Sequence, residues 1–190
     1  MNPVGILLAA GRGRRFDPEG LRNKLLQPLA GGEPMVVASA RNLLSVLSRV
    51  IAVVPPQDGG VAAALRAPGC EVVLCEEADS GMAASLVTAI AHSLPQADAW
   101  LVALGDMPYV APATLRALLA ALEEGADIAA PVFEGRRGNP VAFGARHLPA
   151  LLALEGEHGA RALLKSAPVV EVAVDDPGIL RDIDTPGDLA

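Results

Sequence analysis

The chain has 190 residues, with 15 Lys+Arg against 22 Asp+Glu and a formal charge of −7, a balance that argues against non-specific binding to nucleic acid or to an anionic membrane surface. Its length suits one domain over residues 1–190, and no low-complexity linker divides it; a domain of this size buries roughly 70% of its unfolded surface and needs no staples. Hydrophobic residues make up 52% of the chain and aromatic residues only 3%, so the expected core is built from Ala, Leu, Val and Ile.

The first element, residues 4–10, is an apolar run with the character of a buried strand. It stops at Gly11, where Gly11-Arg-Gly-Arg-Arg15 packs two glycines and three arginines into one turn. Arg12, Arg14, Arg15, Arg22 and Lys24 all fall within the first 24 residues of an otherwise acidic chain. Backbone N–H groups at such a turn, with guanidinium forks and one ammonium, make a cradle for several phosphate oxygens. Two named phosphate loops are excluded. The P-loop spacing and its Gly-Lys-Ser/Thr end are missing, and the dinucleotide fingerprint needs a third glycine where Phe16 stands. An ordinary strand-to-helix turn with solvated arginines remains the alternative at this point.

Further along, residues 50–54, 71–75, 99–104, 128–132 and 169–174 read as strands. Between them lie helical patterns, with Met82, Leu86, Ile90 and Leu94 on one face and Leu115, Leu118, Leu119 and Leu122 on another. Pro112 suits a first helical turn and Gly125 a helix end. Ser80 is a natural N-cap for the helix that follows. Stretches 31–34 and 54–60 are turns, and 134–138 is a loop or hairpin. Strands alternating with helices predict an α/β fold: a doubly wound, mostly parallel sheet with helices on both faces. Ligands then gather beyond the carboxyl ends of the strands, where the arginine turn, Asp106 and Asp184 all fall.

Cys70 and Cys75, five apart within one apparent strand, would face opposite sides, and their spacing fits neither zinc nor redox chemistry. The three histidines share no metal spacing. No run of 18 apolar residues and no basic-then-apolar leader pattern occurs, so the expectation is a cytoplasmic protein.

Asp106 ends an apolar strand and precedes Met107-Pro108. A carboxylate at a strand tip suits magnesium, which takes oxygen ligands and keeps waters and substrate phosphates, yet a turn-capping aspartate carries similar weight there. Asp182 and Asp184 flank Ile183, so both carboxylates share a face of an extended segment. One is a candidate ligand for the same ion and the other a cap for a short helix near Thr185-Pro186.

Leu8-Ala-Ala-Gly-Arg-Gly-Arg-Arg15 with Lys24, Gly81-Met-Ala-Ala-Ser85, Gly105-Asp-Met-Pro108 and Asp182-Ile-Asp-Thr-Pro186 occur in that order along nearly the whole chain. Together they resemble the signature of the MobA-like nucleotidyltransferases, and most nearly the molybdenum cofactor cytidylyltransferases. The resemblance implies a Rossmann-like nucleotidyltransferase fold and magnesium-dependent transfer of CMP from CTP to the phosphate of molybdopterin. Pyrophosphate would be released. It implies a nucleotide site of Ala9, Ala10, Gly11, Gly13, Arg15, Lys24, Gly81 and Ser85. Arg15, Lys24 and Asp106 would act in catalysis, and Asp106 and Asp184 would hold Mg2+. Arg137, Asn139, Arg161 and Asp182 would lie on the acceptor side. A transient contact with a molybdenum enzyme or its chaperone would follow synthesis.

Ala9-Ala10-Gly11 favours cytidine over guanosine by the same resemblance. Three departures stand out: Asn139 replaces a histidine, Asp17 a glycine, and Glu157 an aspartate within Gly156-Glu-His-Gly-Ala-Arg161. Alternatives are guanylyl or other nucleotidyl transfer to molybdopterin or another small phosphorylated acceptor, and a non-catalytic nucleotide- or cofactor-binding protein.

Overall fold

The computed structural model describes every residue except Arg12, Arg14, His158 and Ala190. Four strands, β1 (Pro3–Leu8), β2 (Val50–Val54), β3 (Glu71–Leu74) and β4 (Ala99–Leu104), run parallel in the order β3-β2-β1-β4. The sheet continues through β7 (Val141–Gly144), antiparallel to β4, and β5 (Ile128–Phe133), antiparallel to β7. A short β6 (Arg136–Arg137) also lines β5, and β8 (Val170–Ala173) lies parallel to it. The expected parallel sheet of β1 to β4 is thus extended by antiparallel strands into a mixed one of eight strands.

The central strands are buried on both faces, which is why they read as unbroken apolar runs. On β2, Val50, Ala52 and Val54 join one core cluster while Ile51 and Val53 join the other. The first cluster takes its helical side chains from α1 (Met35–Leu44), α2 (Val61–Arg66) and α4 (Pro112–Glu123). The second takes them from α3 (Met82–Ser93) and α5 (Leu148–Leu152), with Leu163 and Leu164 of α6 (Arg161–Ser166) packed at its margin. Helices thus cover both faces, as the alternation predicts. Among the described residues no helix is long and apolar enough to cross a membrane.

Several local expectations hold. Pro112 opens α4, and Gly125 follows it at φ +104. The loop at 134–138 is a hairpin: Glu134 and Gly135 both have positive φ, 48 and 73, which is the conformation of a two-residue type I′ turn. β6 and β7 are one returning strand that slips register at Asn139-Pro140. The partner sum is 269 for Val132↔Arg137 and 271 for Ala129↔Ala142. That returning strand hides in sequence because its paired residues come in two short pieces, Arg136–Arg137 and Val141–Gly144.

One expectation fails. Ser80 does not cap α3; it lies in a 3-10 turn (Ala78–Ser80) and its hydroxyl donates to Glu77 O, while Gly81 takes the N-cap position. The chain bends sharply at Gly81, with φ +123, and this leaves Ser80 one residue too early.

Cys70 and Cys75 are both buried, one in each core cluster, so they do face opposite sides. Burial pushes the Cys70 thiol up to about 11. At pH 8 its thiolate fraction is then on the order of 0.1%, since each pH unit is a factor of ten. Titration of the native protein with a disulfide reagent should show no fast thiol, and both cysteines should react once the chain is unfolded.

Candidate active site

The β1 and β4 ends lie side by side at the point where the strand order reverses, the place where open α/β sheets bind ligands. Leu8 pairs with Leu104, and Gly105 N–H then donates to Leu8 O at 2.9 Å. A Cβ on Gly105 would lie 3.2 Å from that same oxygen, so glycine keeps the two strand tips close. Beyond them opens a cleft of about 340 Å³. It is lined by Leu8, Ala10, Gly11, Gly13, Lys24 and Leu25, by Ala78, Asp79, Gly81, Met82 and Ser85, and by Leu104, Asp106 and Glu157.

Lys24 is placed by a short 3-10 turn, Lys24–Leu26. Asn23 caps this turn by accepting from Leu25 N–H, and its own amide donates to Asp58 O, while Leu25 anchors the turn in the core. Gly13 passes directly over the lysine stem at φ +58; a Cβ there would sit 2.9 Å from Lys24 Cβ. The ammonium, only 10% exposed, donates to Asp106 Oδ2 at 2.8 Å and Asp184 Oδ1 at 3.2 Å. Arg15 Nη1 reaches the other oxygen of Asp184 at 2.7 Å. Its side chain is 79% exposed, so this pair adds little stability and leaves the guanidinium free to turn toward a ligand.

Asp184 reaches this place on a C-terminal strap. Ile183 N–H donates to Asp106 O at 3.0 Å, and Ile179 and Ile183 are fully buried. Two glycines make the contact possible. A Cβ on Gly178 would fall 2.1 Å from Tyr109 O, and one on Gly138 would fall 2.2 Å from Ile179 O. Asp176, 6% exposed, fastens the strap to the start of α4: its carboxylate accepts from Ala111 N–H (2.8 Å), Thr114 Oγ1 (2.6 Å) and Gly178 N–H (2.9 Å).

Among the described residues neither Asp182 nor Asp184 is seen to cap the final turn, the role expected of one of them. Asp188 instead accepts from the N–H groups of Asp184 and Thr185, because the chain folds its own next turn back on them. Loss of water raises the Asp182 carboxyl above its ordinary range. The negative charges of Asp184 and Asp106 push the same way, and its own backbone N–H pulls it back in part.

Sequence candidates separate into those that meet and those that lie apart. Arg15, Lys24, Asp106 and Asp184 converge, and Ala10, Gly11, Gly13, Gly81 and Ser85 line the cleft beside them. Ala9 is buried just behind, its N–H held by Val53 O. Arg137, Asn139 and Arg161 do not line the cleft. Arg137 pairs with Glu171 on β8, Asn139 N–H donates to Ile179 O, and Arg161 opens α6. Arg22 stacks on Phe16 rather than entering the cleft. Arg12, Arg14 and His158 lie outside the described residues. The odd Asp17 organises its loop by accepting from Glu19 and Arg22 N–H, and the Arg22 bond holds its carboxyl below the usual range. Asp79, Glu157, Leu8 and Leu104 were missed as cleft residues; a carboxylate beside Gly81 or Gly156 was the available signal for the first two.

The donor set suits a hard divalent cation. Asp106 and Asp184 present carboxylate oxygens around one cationic position, now taken by the Lys24 ammonium. Among the described residues no group of three or more His, Cys, Asp or Glu could hold a metal by itself. An ion here would need phosphate oxygens and water to complete its shell, which is the habit of magnesium.

The lysine clasped at the sheet switch point by Asp106, just past β4, and Asp184, on the strap, sits in a chain of the nucleotidyltransferase class. The chain belongs to the MobA-like NTP transferase domain family, whose sequence pattern matches residues 5–172. It is 32% identical over 195 residues to the purine catabolism protein PucB of Bacillus subtilis, covering 96% of this chain and 92% of that one. Among solved structures it resembles Rv0371c of Mycobacterium tuberculosis, with a TM-score of 0.85 and 31% identity over 99% of this chain and 95% of that one. Rv0371c has also been solved as a complex with manganese, to which this chain is 29% identical with a TM-score of 0.79 over 99% and 96% of the two chains. A nucleotidyl transferase from Methanothermobacter thermautotroptrophicus matches with a TM-score of 0.79 and 28% identity over 98% and 93% of the two chains.

Replacing Asp176 by alanine strands the N–H groups of Ala111 and Gly178 and the Thr114 hydroxyl beside the strap. Urea unfolding of Asp176→Ala should show a loss of about 3 kcal/mol, the scale for several buried polar groups left unpaired.

Proposed function

We propose that the protein transfers CMP from CTP to the phosphate of a molybdopterin-type acceptor, releasing pyrophosphate and using magnesium. The observation that carries the transfer chemistry is the Lys24 ammonium held between Asp106 and Asp184 at the mouth of the cleft. CTP is supported by Ala9-Ala10-Gly11, and the acceptor by the resemblance of the four segments taken together.

The chemistry asks for positioning and charge stabilisation. An oxygen of the acceptor phosphate, already ionised, attacks the α-phosphorus in line, and the bond to the bridging oxygen of pyrophosphate breaks. Backbone N–H groups from Ala10 to Gly13 hold the triphosphate in this reading. Lys24 turns from its carboxylates to the α-phosphate and Arg15 to the leaving pyrophosphate, so charge that builds up is met by groups already in place. Asp106 and Asp184 would hold Mg2+, which would offset the charge of the phosphates. Asp182 adds a further carboxylate on the acceptor side of that pair. Asn139, whose N–H is tied to the strap at Ile179, and Arg137 would flank the acceptor's approach, with Arg161 beyond.

Pyrophosphate release with magnesium and molybdopterin cofactor, comparing CTP, GTP and ATP, tests the reading. Release with CTP above the others is the expected result; preference for GTP overturns the choice of base, and silence with every nucleotide overturns the transfer. Lys24→Ala and Asp106→Ala should each lower kcat by at least ~100-fold, the scale of one lost transition-state contact. Chelation with EDTA should abolish release, and added Mg2+ should restore it.

A further inference from the structure

Three acidic residues line the cleft, Asp79, Asp106 and Glu157. Asp106 is matched by Lys24, and Asp79 is itself partnered. Glu157 is exposed and makes no hydrogen bond or ion pair with another described residue. An unmatched carboxylate in a cleft that must accept a triphosphate needs an explanation.

Its position is built with some care. Gly81 sits at φ +123, and a Cβ there would lie 2.5 Å from Gly156 O and 3.0 Å from Glu157 Cα. Only glycine lets the backbone at 156–157 lie against the start of α3. Gly156 O then accepts Ala83 N–H at 3.2 Å, one of the donors that a helix start leaves open. Gly159, at φ +50, comes down on Met82, with its missing Cβ 3.1 Å from the thioether sulfur. The segment bearing Glu157 is docked onto the helix as one wall of the cleft.

Among the described residues, Lys24 in the cleft and Arg15 beside it gather at Asp106 and Asp184. Phosphates belong there, and like charge keeps them from Glu157. An ionised carboxylate only accepts hydrogen bonds, so its counterpart carries N–H or O–H groups. In a nucleoside triphosphate those donors are on the nucleoside: an amino group of the base and the ribose hydroxyls. We propose that Glu157 is a specificity-determining residue that accepts a hydrogen bond from the nucleoside part of the nucleotide, selecting nucleotides that carry that donor. The inference rests on the nucleotidyl-transfer reading and adds the contact that chooses the substrate. Discrimination of this kind is steep, because an analogue lacking the donor leaves the acceptor unpaired, and a carbonyl in its place sets two acceptors face to face.

Calorimetric binding in the presence of Mg2+, without acceptor, tests it on the full chain. Wild type, Glu157→Gln and Glu157→Ala are compared with CTP, UTP, 2′-deoxy-CTP and 3′-deoxy-CTP. The expected result is about tenfold weaker CTP binding in both variants, with the loss abolished for the one analogue that lacks the donor. Abolition with UTP places the contact on the base amino group, and abolition with a deoxy analogue places it on the ribose. An equal loss with every nucleotide overturns the proposal, since that is the mark of a disturbed loop. No loss, or tighter binding throughout, also overturns it. Wild type that binds CTP normally while the variants match it defeats this inference alone; wild type that binds no nucleotide defeats the transfer reading beneath it.

Discussion

The parallel ladder between β1 and β4 is the constraint on which the site depends. Six residue pairs, from Pro3↔Ala99 to Leu8↔Leu104, hold the two strands in register, and the Gly105 N–H to Leu8 O bond extends the pairing one step past the strands. That ladder sets the glycine-arginine turn beside Asp106. Because β2 lies on the other side of β1, the loops leaving β1 and β4 diverge and leave a crevice between them. Lys24, 82 residues from Asp106 in the chain, reaches it from the long segment that follows β1.

The second constraint is the C-terminal strap. Its buried isoleucines provide hydrophobic attachment, while Gly138 and Gly178 allow backbone contacts that any side chain would block. Asp176 ties it to α4, the helix that follows the Asp106 tip, so one carboxylate is held in relation to the other. The register slip between β6 and β7 falls where the strap is attached, at Gly138 and Asn139. An interruption that weakens a sheet locally thus makes room for the segment that completes the site.

Charge is distributed to the same end. The chain is acidic overall, and at the cleft the Asp106 carboxylate is matched by the Lys24 ammonium. Lys24 fills the space between Asp106 and Asp184 as a cation of the protein's own. Two carboxylates can therefore be kept close in the free protein, their mutual repulsion offset by the ammonium between them.

Much of the fold was legible in the residue pattern. The central strands, sandwiched between helices, read as apolar runs; Pro112 and Gly125 bracket α4; and the paired Cys70 and Cys75 were placed on opposite faces by parity alone. Lys24, Asp106 and Asp184 stood out by residue type and neighbouring motif. What the sequence could not decide was anything set by distant backbone. β7 has too few regularly paired residues to announce itself, Ser80 is displaced from its cap by the bend at Gly81, and the capping of the final turn falls to Asp188. Likewise Glu157 enters the cleft only because Gly81, 76 positions earlier, lacks a side chain. The sequence by itself determined the layered α/β frame and the chemistry-bearing residues, since hydrophobic period and residue type are local properties. Only the tertiary structure decided which of those residues meet, because that depends on strand order and on close backbone approaches that no local pattern records.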